Sequence, residues 1–124
     1  MNAIIRYFKF TRPFTLLPPM LGMVSGALTA VGAGAHHAGR SFPEQISALG
    51  TGETLFFIAL GGLMAAVLNA ASNVLNQITD LENDRVNKPG RMLPSGQISV
   101  KSAALYSAAL YALALALAWL TAPG

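Results

Sequence analysis

Six polar side chains, Asn69, Asn73, Asn76, Gln77, Asp80 and Asp84, follow one another at spacings of 4, 3, 1, 3 and 4 residues. On a helix of 3.6 residues per turn they share a sector of about 100°. The stretch leading into them, Leu55 to Leu68, is apolar. An amide inside a bilayer is costly unless it is paired, so this stripe predicts a helix whose polar face meets a partner helix or a wet cavity. Asp80 and Asp84 lie at i and i+4, with Cβ atoms about 6 Å apart if the helix continues. Two carboxylates so placed repel each other unless a cation lies near. Mg²⁺ suits such a pair, because it takes few carboxylates, keeps waters and completes its shell with phosphate oxygens. Lys88 and Arg91 follow as donors able to hold a phosphate. Pro89, Pro94 and Gly96 shape the loop that presents them. This is chemistry for a diphosphate on a lipid tail at a membrane surface. The competing reading is a solvated loop in which Asp80, Glu82, Asp84, Arg85 and Lys88 pair along a helix. The continuation of the stripe back to Asn69 weighs against it.

The elements that must carry these residues are membrane spans. The chain has 124 residues, 53% hydrophobic and only 10% charged, with a mean hydropathy of +0.51. Soluble domains carry about 25% charged residues. The sequence therefore predicts an all-α integral membrane protein, a single unit over residues 1–124. Its three transmembrane helices fall at about 14–35, 55–78 and 102–121, each near the roughly 20 residues that a bilayer core requires. There is no cysteine, which excludes disulfides, thiolate metal sites and a Cys nucleophile. The net charge of +3 is too small to point to nucleic acid.

Pro13 can open the first span, and Pro18-Pro19 should kink it or delay its regular start. Gly22 and Gly26 form a GxxxG pair that permits close helix approach. His36 and His37 are adjacent and point in different directions on a helix, which argues for interfacial residues over a metal site. Residues 38–52, mixing Gly, Ser, Pro and Thr, read as an external loop. Ser99 is a candidate N-cap for the third span. The basic N-terminus, apolar run and Ala33-Gly34-Ala35 have the outline of a cleaved signal peptide, but the run is long and two further spans follow.

Basic residues are sorted by side. Arg6, Lys9 and Arg12 precede the first span, and Arg85, Lys88, Arg91 and Lys101 lie between the second and third. The loop between the first two spans holds Arg40 with Glu44 and Glu53. The positive-inside rule places the N-terminus and the 79–101 loop in the cytoplasm of a multi-pass inner (plasma) membrane protein, with Trp119 near the outer interface.

The run Asn73-Val-Leu-Asn76-Gln77-Ile-Thr-Asp80-Leu-Glu-Asn-Asp84-Arg-Val-Asn87-Lys88-Pro89-Gly-Arg91-Met-Leu-Pro94-Ser95-Gly96 resembles the first aspartate-rich motif of the UbiA-type membrane prenyltransferases, NDxxDxxxD followed by N-x-P-x-R-P-x-x-S-G. Arg12-Pro13-Phe14 also fits. Gln77 stands where many members have an aspartate, as in the homogentisate-type members, and Met92 stands where proline is usual. The resemblance implies a bundle of about nine helices, of which this chain is the N-terminal third. It also implies transfer of a prenyl group from an allylic polyprenyl diphosphate to a lipophilic or aromatic acceptor of the quinone-precursor type. By carry-over, Asp80, Asp84 and Asn76 would hold Mg²⁺. Asn73, Asn76, Lys88 and Arg91 would bind the diphosphate, with Asp80, Asp84 and Arg91 as the catalytic set. No second DxxxD follows, so a fragment, a truncated frame or one part of a split enzyme is expected, with the C-terminal half as a partner. The isolated chain should then be inactive. A CDP-alcohol phosphotransferase would need DG and AR upstream of its aspartates, and neither is present. A non-enzymatic helical subunit or remnant is the alternative.

Overall fold

The computed structural model describes residues 1–121, and every regular element among them is helical. The elements are α1 (Ala3–Phe10), a 3₁₀ turn (Pro13–Thr15), α2 (Leu17–Ala38), α3 (Phe42–Leu49), α4 (Thr51–Thr79), α5 (Leu81–Asn87) and α6 (Val100–Thr121). Three segments, Pro13–Ala38, Thr51–Thr79 and Val100–Thr121, are long and apolar enough to cross a membrane. All three expected spans are present, each reaching a few residues beyond its expected limits at one end or both.

The prolines of α2 delay its start and do not kink it. Pro13 opens the 3₁₀ turn, and Pro18-Pro19 sit in the first turn of α2, where the missing amides would have had no helical partner. Gly39, at φ 63°, ends α2 in the left-handed conformation, and Arg40 N donates to Ala35 O at 2.9 Å. The expected loop over 38–52 is largely helical, which corrects the compositional reading. Ser41 and Glu44 form a capping box, Pro43 lies in the first turn, and α3 follows. Gly50, at φ 91°, then turns the chain directly into α4. Local capping chemistry thus outweighs the loop-like composition.

At 29 residues α4 is about 43 Å long, well beyond the hydrocarbon thickness of about 30 Å. It is the middle helix, packed on α6 along one side and on α2 along another. Small residues allow the α4–α6 approach: Ala70, Ala71, Ala103 and Ala114 are buried there, and Ser107 Oγ donates to Ala71 O at 3.1 Å. Between α2 and α4 the close glycines are Gly61 and Gly62. A Cβ at Gly62 would lie 3.4 Å from Met20 Cγ and from Val24 Cγ2. The expected GxxxG pair plays no such part, since Cβ atoms at Gly22 and Gly26 would meet nothing within 4 Å. Ser99 does cap α6, its Oγ accepting from Ser102 N at 3.1 Å. At the α1 end of the bundle, Phe10, Val74, Leu81, Leu93, Ile98 and Ala103 form one buried cluster. That cluster fastens α1 and the 88–99 loop to the ends of α4 and α6.

The glycine geometry makes a contrast measurable. Gly62→Val should lower stability by about 1–3 kcal/mol through overpacking against Met20 and Val24. Gly22→Ala and Gly26→Ala should stay within about 0.5 kcal/mol of the parent. Equilibrium unfolding in mixed detergent micelles reads both, and equal losses at Gly22 and Gly62 would contradict this packing.

Candidate functional site

The polar stripe of α4 faces the chain segment that links α1 to α2. Asn69 Nδ2 donates to Thr15 O at 2.9 Å, Asn73 Nδ2 to Thr11 O at 2.8 Å and to Thr15 Oγ1 at 2.6 Å, and Gln77 Nε2 to Phe10 O at 2.8 Å. A carbonyl oxygen can only accept, so these partners fix which end of each amide points inward. Thr15 Oγ1 passes the bond on to Arg12 O at 2.8 Å. One amide per helical turn thus clasps the backbone from Phe10 to Thr15 through the carbonyls of Phe10, Thr11 and Thr15.

The clasp holds an unusual conformation. Arg12 has φ 57° and ψ 66°, the only non-glycine residue with positive φ among those described. Left-handed backbone costs an L-residue about 1–2 kcal/mol and persists where surrounding bonds over-determine it. This turn puts Arg12 on the wall of an open cavity of about 370 Å³, lined also by Lys9, Phe10, Gln77, Arg91 and Met92. Three cations and no carboxylate line this space. Its lining is therefore electropositive.

Arg91 is set from behind by Asp84. Asp84 is only 4% exposed, and Arg91 Nη1 donates to its Oδ2 at 2.9 Å. The loop that carries Arg91 is anchored by buried Leu93 and Ile98, with Ile98 N bonded to Met92 O at 3.1 Å. Asp80 caps the end of α4 and is exposed, with no side-chain partner among the described residues. The helical ladder runs through it: Asp80 N donates to Asn76 O at 2.9 Å and Asp84 N to Asp80 O at 2.8 Å. Asp80 and Asp84 therefore remain one turn apart across the junction of α4 and α5.

The sequence-derived set is thus divided. Asp84, Arg91, Asn73 and Gln77 meet at or directly behind the cavity. Asn73 spends its amide hydrogens on Thr11 and Thr15, so it anchors the chain and has none left to donate to a phosphate; its Oδ1 remains as an acceptor. Asn76 and Lys88 are exposed and do not line the cavity. Among the described residues no three His, Asp or Glu side chains form a metal-binding group. Lys9 stands in the sequence only as a marker of orientation, and Arg12 as that and as part of the Arg12-Pro13-Phe14 run that fits the family pattern. Their available signal is the spacing Lys9-x-x-Arg12-Pro13, which ends α1 and turns the chain just before the first span.

The fold and site together define a helical membrane protein with a cationic cavity at one end of its bundle. Residues 45–124 match the UbiA prenyltransferase family, and the chain belongs to that family. It is 33% identical over 113 residues to a digeranylgeranylglyceryl phosphate synthase of Thermococcus kodakarensis, covering 91% of this chain and 34% of that protein. It is 33% identical over 93 residues to the chloroplastic coumarin 8-geranyltransferase 1 of Citrus limon, covering 75% of this chain and 20% of that protein. Over 59 residues it is 42% identical to a digeranylgeranylglyceryl phosphate synthase of Methanoculleus marisnigri, covering 48% of this chain and 21% of that protein. The chain thus spans between a fifth and a third of the length of these relatives. No solved structure matches it significantly.

The buried pair has a direct test. Arg91→Met leaves the Asp84 carboxylate buried without a partner and should cost about 1–3 kcal/mol in micelle unfolding. Adding Asp84→Leu to Arg91→Met should recover much of that loss, because no buried charge remains. Strictly additive losses would show that the two side chains do not interact.

Proposed function

We propose that this chain carries the diphosphate-binding half-site of a prenyltransferase that moves a prenyl group from an allylic polyprenyl diphosphate to a lipophilic or aromatic acceptor. The observation that carries the reading is the cavity with Lys9, Arg12 and Arg91 on its walls and the Asp80–Asp84 turn behind it. Lys9 and Arg12 bind diphosphate oxygens from the α1 side. Arg91 binds from the loop side, with its fork oriented by Asp84. Gln77 presents its Oε1 to the cavity, its amide hydrogens being committed to backbone carbonyls. The donor set fits Mg²⁺: Asp80 is open to solvent, Asp84 has an oxygen beyond the one that Arg91 engages, and this ion needs few carboxylates when waters and phosphate oxygens complete its shell. When bound through Asp80, Asp84 and exposed Asn76, the metal would neutralise charge that develops on the departing diphosphate. The cations on the cavity wall work in the same direction, stabilising the leaving group where its charge grows.

A second groove supports a place for the tail. Pro19, Met23, Met64, Leu68, Asn69 and Ser72 line about 330 Å³ of mostly apolar space between α2 and α4. Asn69 lies two turns, about 12 Å, along α4 from Gln77. A diphosphate at the helix end and an apolar chain lying toward mid-membrane fit the two spaces together. The α1 end, with seven of the eight basic residues, is taken as the cytoplasmic face. By their names, the relatives include synthases of digeranylgeranylglyceryl phosphate, a coumarin geranyltransferase and a naringenin dimethylallyltransferase of Sophora flavescens, which supports both lipid and aromatic acceptors. The chain carries one aspartate motif, and prenyl transfer is proposed to require the later half that longer relatives have.

Binding of geranylgeranyl diphosphate to the chain in nanodiscs, with and without Mg²⁺, tests the reading. Mg²⁺ should tighten binding about tenfold or more, equivalent to about 1.4 kcal/mol. Asp80→Asn, an exposed position, should remove that gain and leave the Mg²⁺-free affinity nearly unchanged. Arg12→Ala should weaken binding in both conditions. Absence of any diphosphate binding would favour the non-enzymatic subunit reading, and an unaltered Mg²⁺ gain in Asp80→Asn would remove the metal role.

A further inference from the structure

Helix α1 has three faces, and only two have protein partners. At 100° per residue, Ala3, Tyr7 and Phe10 share one sector. Phe10 is buried in the core cluster, and Tyr7 meets Tyr106 edge-on at 5.0 Å while its carbonyl accepts from Tyr106 OH at 3.3 Å. Arg6 and Lys9 share the second sector. Arg6 Nη1 donates to Gln97 O at 3.4 Å, and Lys9 lines the cationic cavity. The third sector is Ile4, Ile5 and Phe8, at i, i+1 and i+4. It is apolar throughout, with Ile4 78% and Phe8 58% exposed. Leaving three large apolar side chains in water at the end of a membrane span would forfeit much of the free energy that their burial can supply.

We propose that α1 lies in the plane of the membrane interface, with Ile4, Ile5 and Phe8 embedded in the leaflet on its side and a preference for anionic phospholipid there. Three observations select lipid as the occupant. First, α1 runs to within a few residues of Pro13, where the first membrane span begins, so its position is already at headgroup depth. Second, basic side chains flank the apolar face: Arg6 and Lys9 on α1 itself, with Arg12, Arg85, Lys88, Arg91 and Lys101 at the same end of the bundle. Third, the apolar and basic sectors are separate, the pattern that lays a helix along an interface and not across it. The inference is independent of prenyl transfer. Its structural consequence is that the lipid surface holds α1 down from one side while Phe10 and Tyr7 hold it from the other, fixing Lys9 at the rim of the cavity.

The test places an indole on the face. In a Trp119→Phe background, which removes the single native tryptophan, Phe8→Trp is introduced and the chain is reconstituted into vesicles of equal phosphatidylcholine and phosphatidylglycerol. Helical circular dichroism and a single detergent-solubilised species confirm that the variant folds. Brominated acyl chains on either lipid should quench emission from the introduced indole. Brominated phosphatidylglycerol should quench about twofold more strongly or better, as expected when basic residues near the surface each favour anionic lipid. Emission at a water-like wavelength with ready acrylamide quenching would overturn the proposal. Protection from both quenchers would overturn it as well, since protein would then cover the face. Equal quenching by the two brominated lipids would overturn the anionic preference.

Discussion

The site depends on three amide side chains bonded to the backbone of a neighbouring segment. Asn69, Asn73 and Gln77 stand one turn apart on α4 and together engage the carbonyls of Phe10, Thr11 and Thr15. In a bilayer each of those carbonyls would be costly to leave alone, and each amide would be too. The pairing resolves both demands at once. It also settles where α1 ends, why Arg12 adopts a left-handed turn, and why Pro13 can begin a 3₁₀ turn that leads into α2. Interhelical hydrogen bonds in membranes average about 0.6 kcal/mol and reach about 1.7 kcal/mol. A ladder of several such bonds offsets the conformational cost at Arg12.

From that fixed turn the electrostatics follow. Lys9 and Arg12 approach the cavity from α1, and Arg91 approaches from a loop held by Leu93 and Ile98. Without a counter-charge three such cations would repel one another. Asp84 supplies one from behind Arg91, buried on the short helix that extends α4. The open side of the cavity is left positive. In the function proposed above, stability and anion binding would use the same residues in opposite senses: the carboxylate that steadies Arg91 would also be one of the two offered to a metal.

Much of this is legible in the sequence, and for physical reasons. Spans are set by length and apolarity, which read directly, and the stripe from Asn69 to Asp84 has a periodicity that only a helix satisfies. What the stripe faces is a tertiary fact. The motif assigns Asn73 to a ligand, yet its amide holds Thr11 and Thr15, because an asparagine's spacing does not reveal its partner. Lys9 counts in the sequence only as a charge and Arg12 as a charge within a family-like Arg-Pro-Phe run, and the turn at Arg12 depends on contacts more than fifty residues away along the chain. Gly22 and Gly26 fit a packing motif but face open space, whereas Gly61 and Gly62, which carry no motif, make the close approach. The capping box at Ser41 and Glu44 is present in the residues and is masked by the loop-like composition around it.

The amide ladder is the claim on which the rest stands, and hydrogen exchange of the chain in nanodiscs tests it most directly. Replacing Asn73 with Ala and Gln77 with Leu together should speed exchange of the Thr11, Arg12, Thr15 and Leu16 amides by about 5- to 30-fold, the equivalent of one or two kcal/mol, while the α4–α6 interface near Ala71 and Ser107 keeps its protection. Unchanged exchange over Thr11–Leu16 in the double variant would contradict the account, because the left-handed turn at Arg12 would then stand without its clasp.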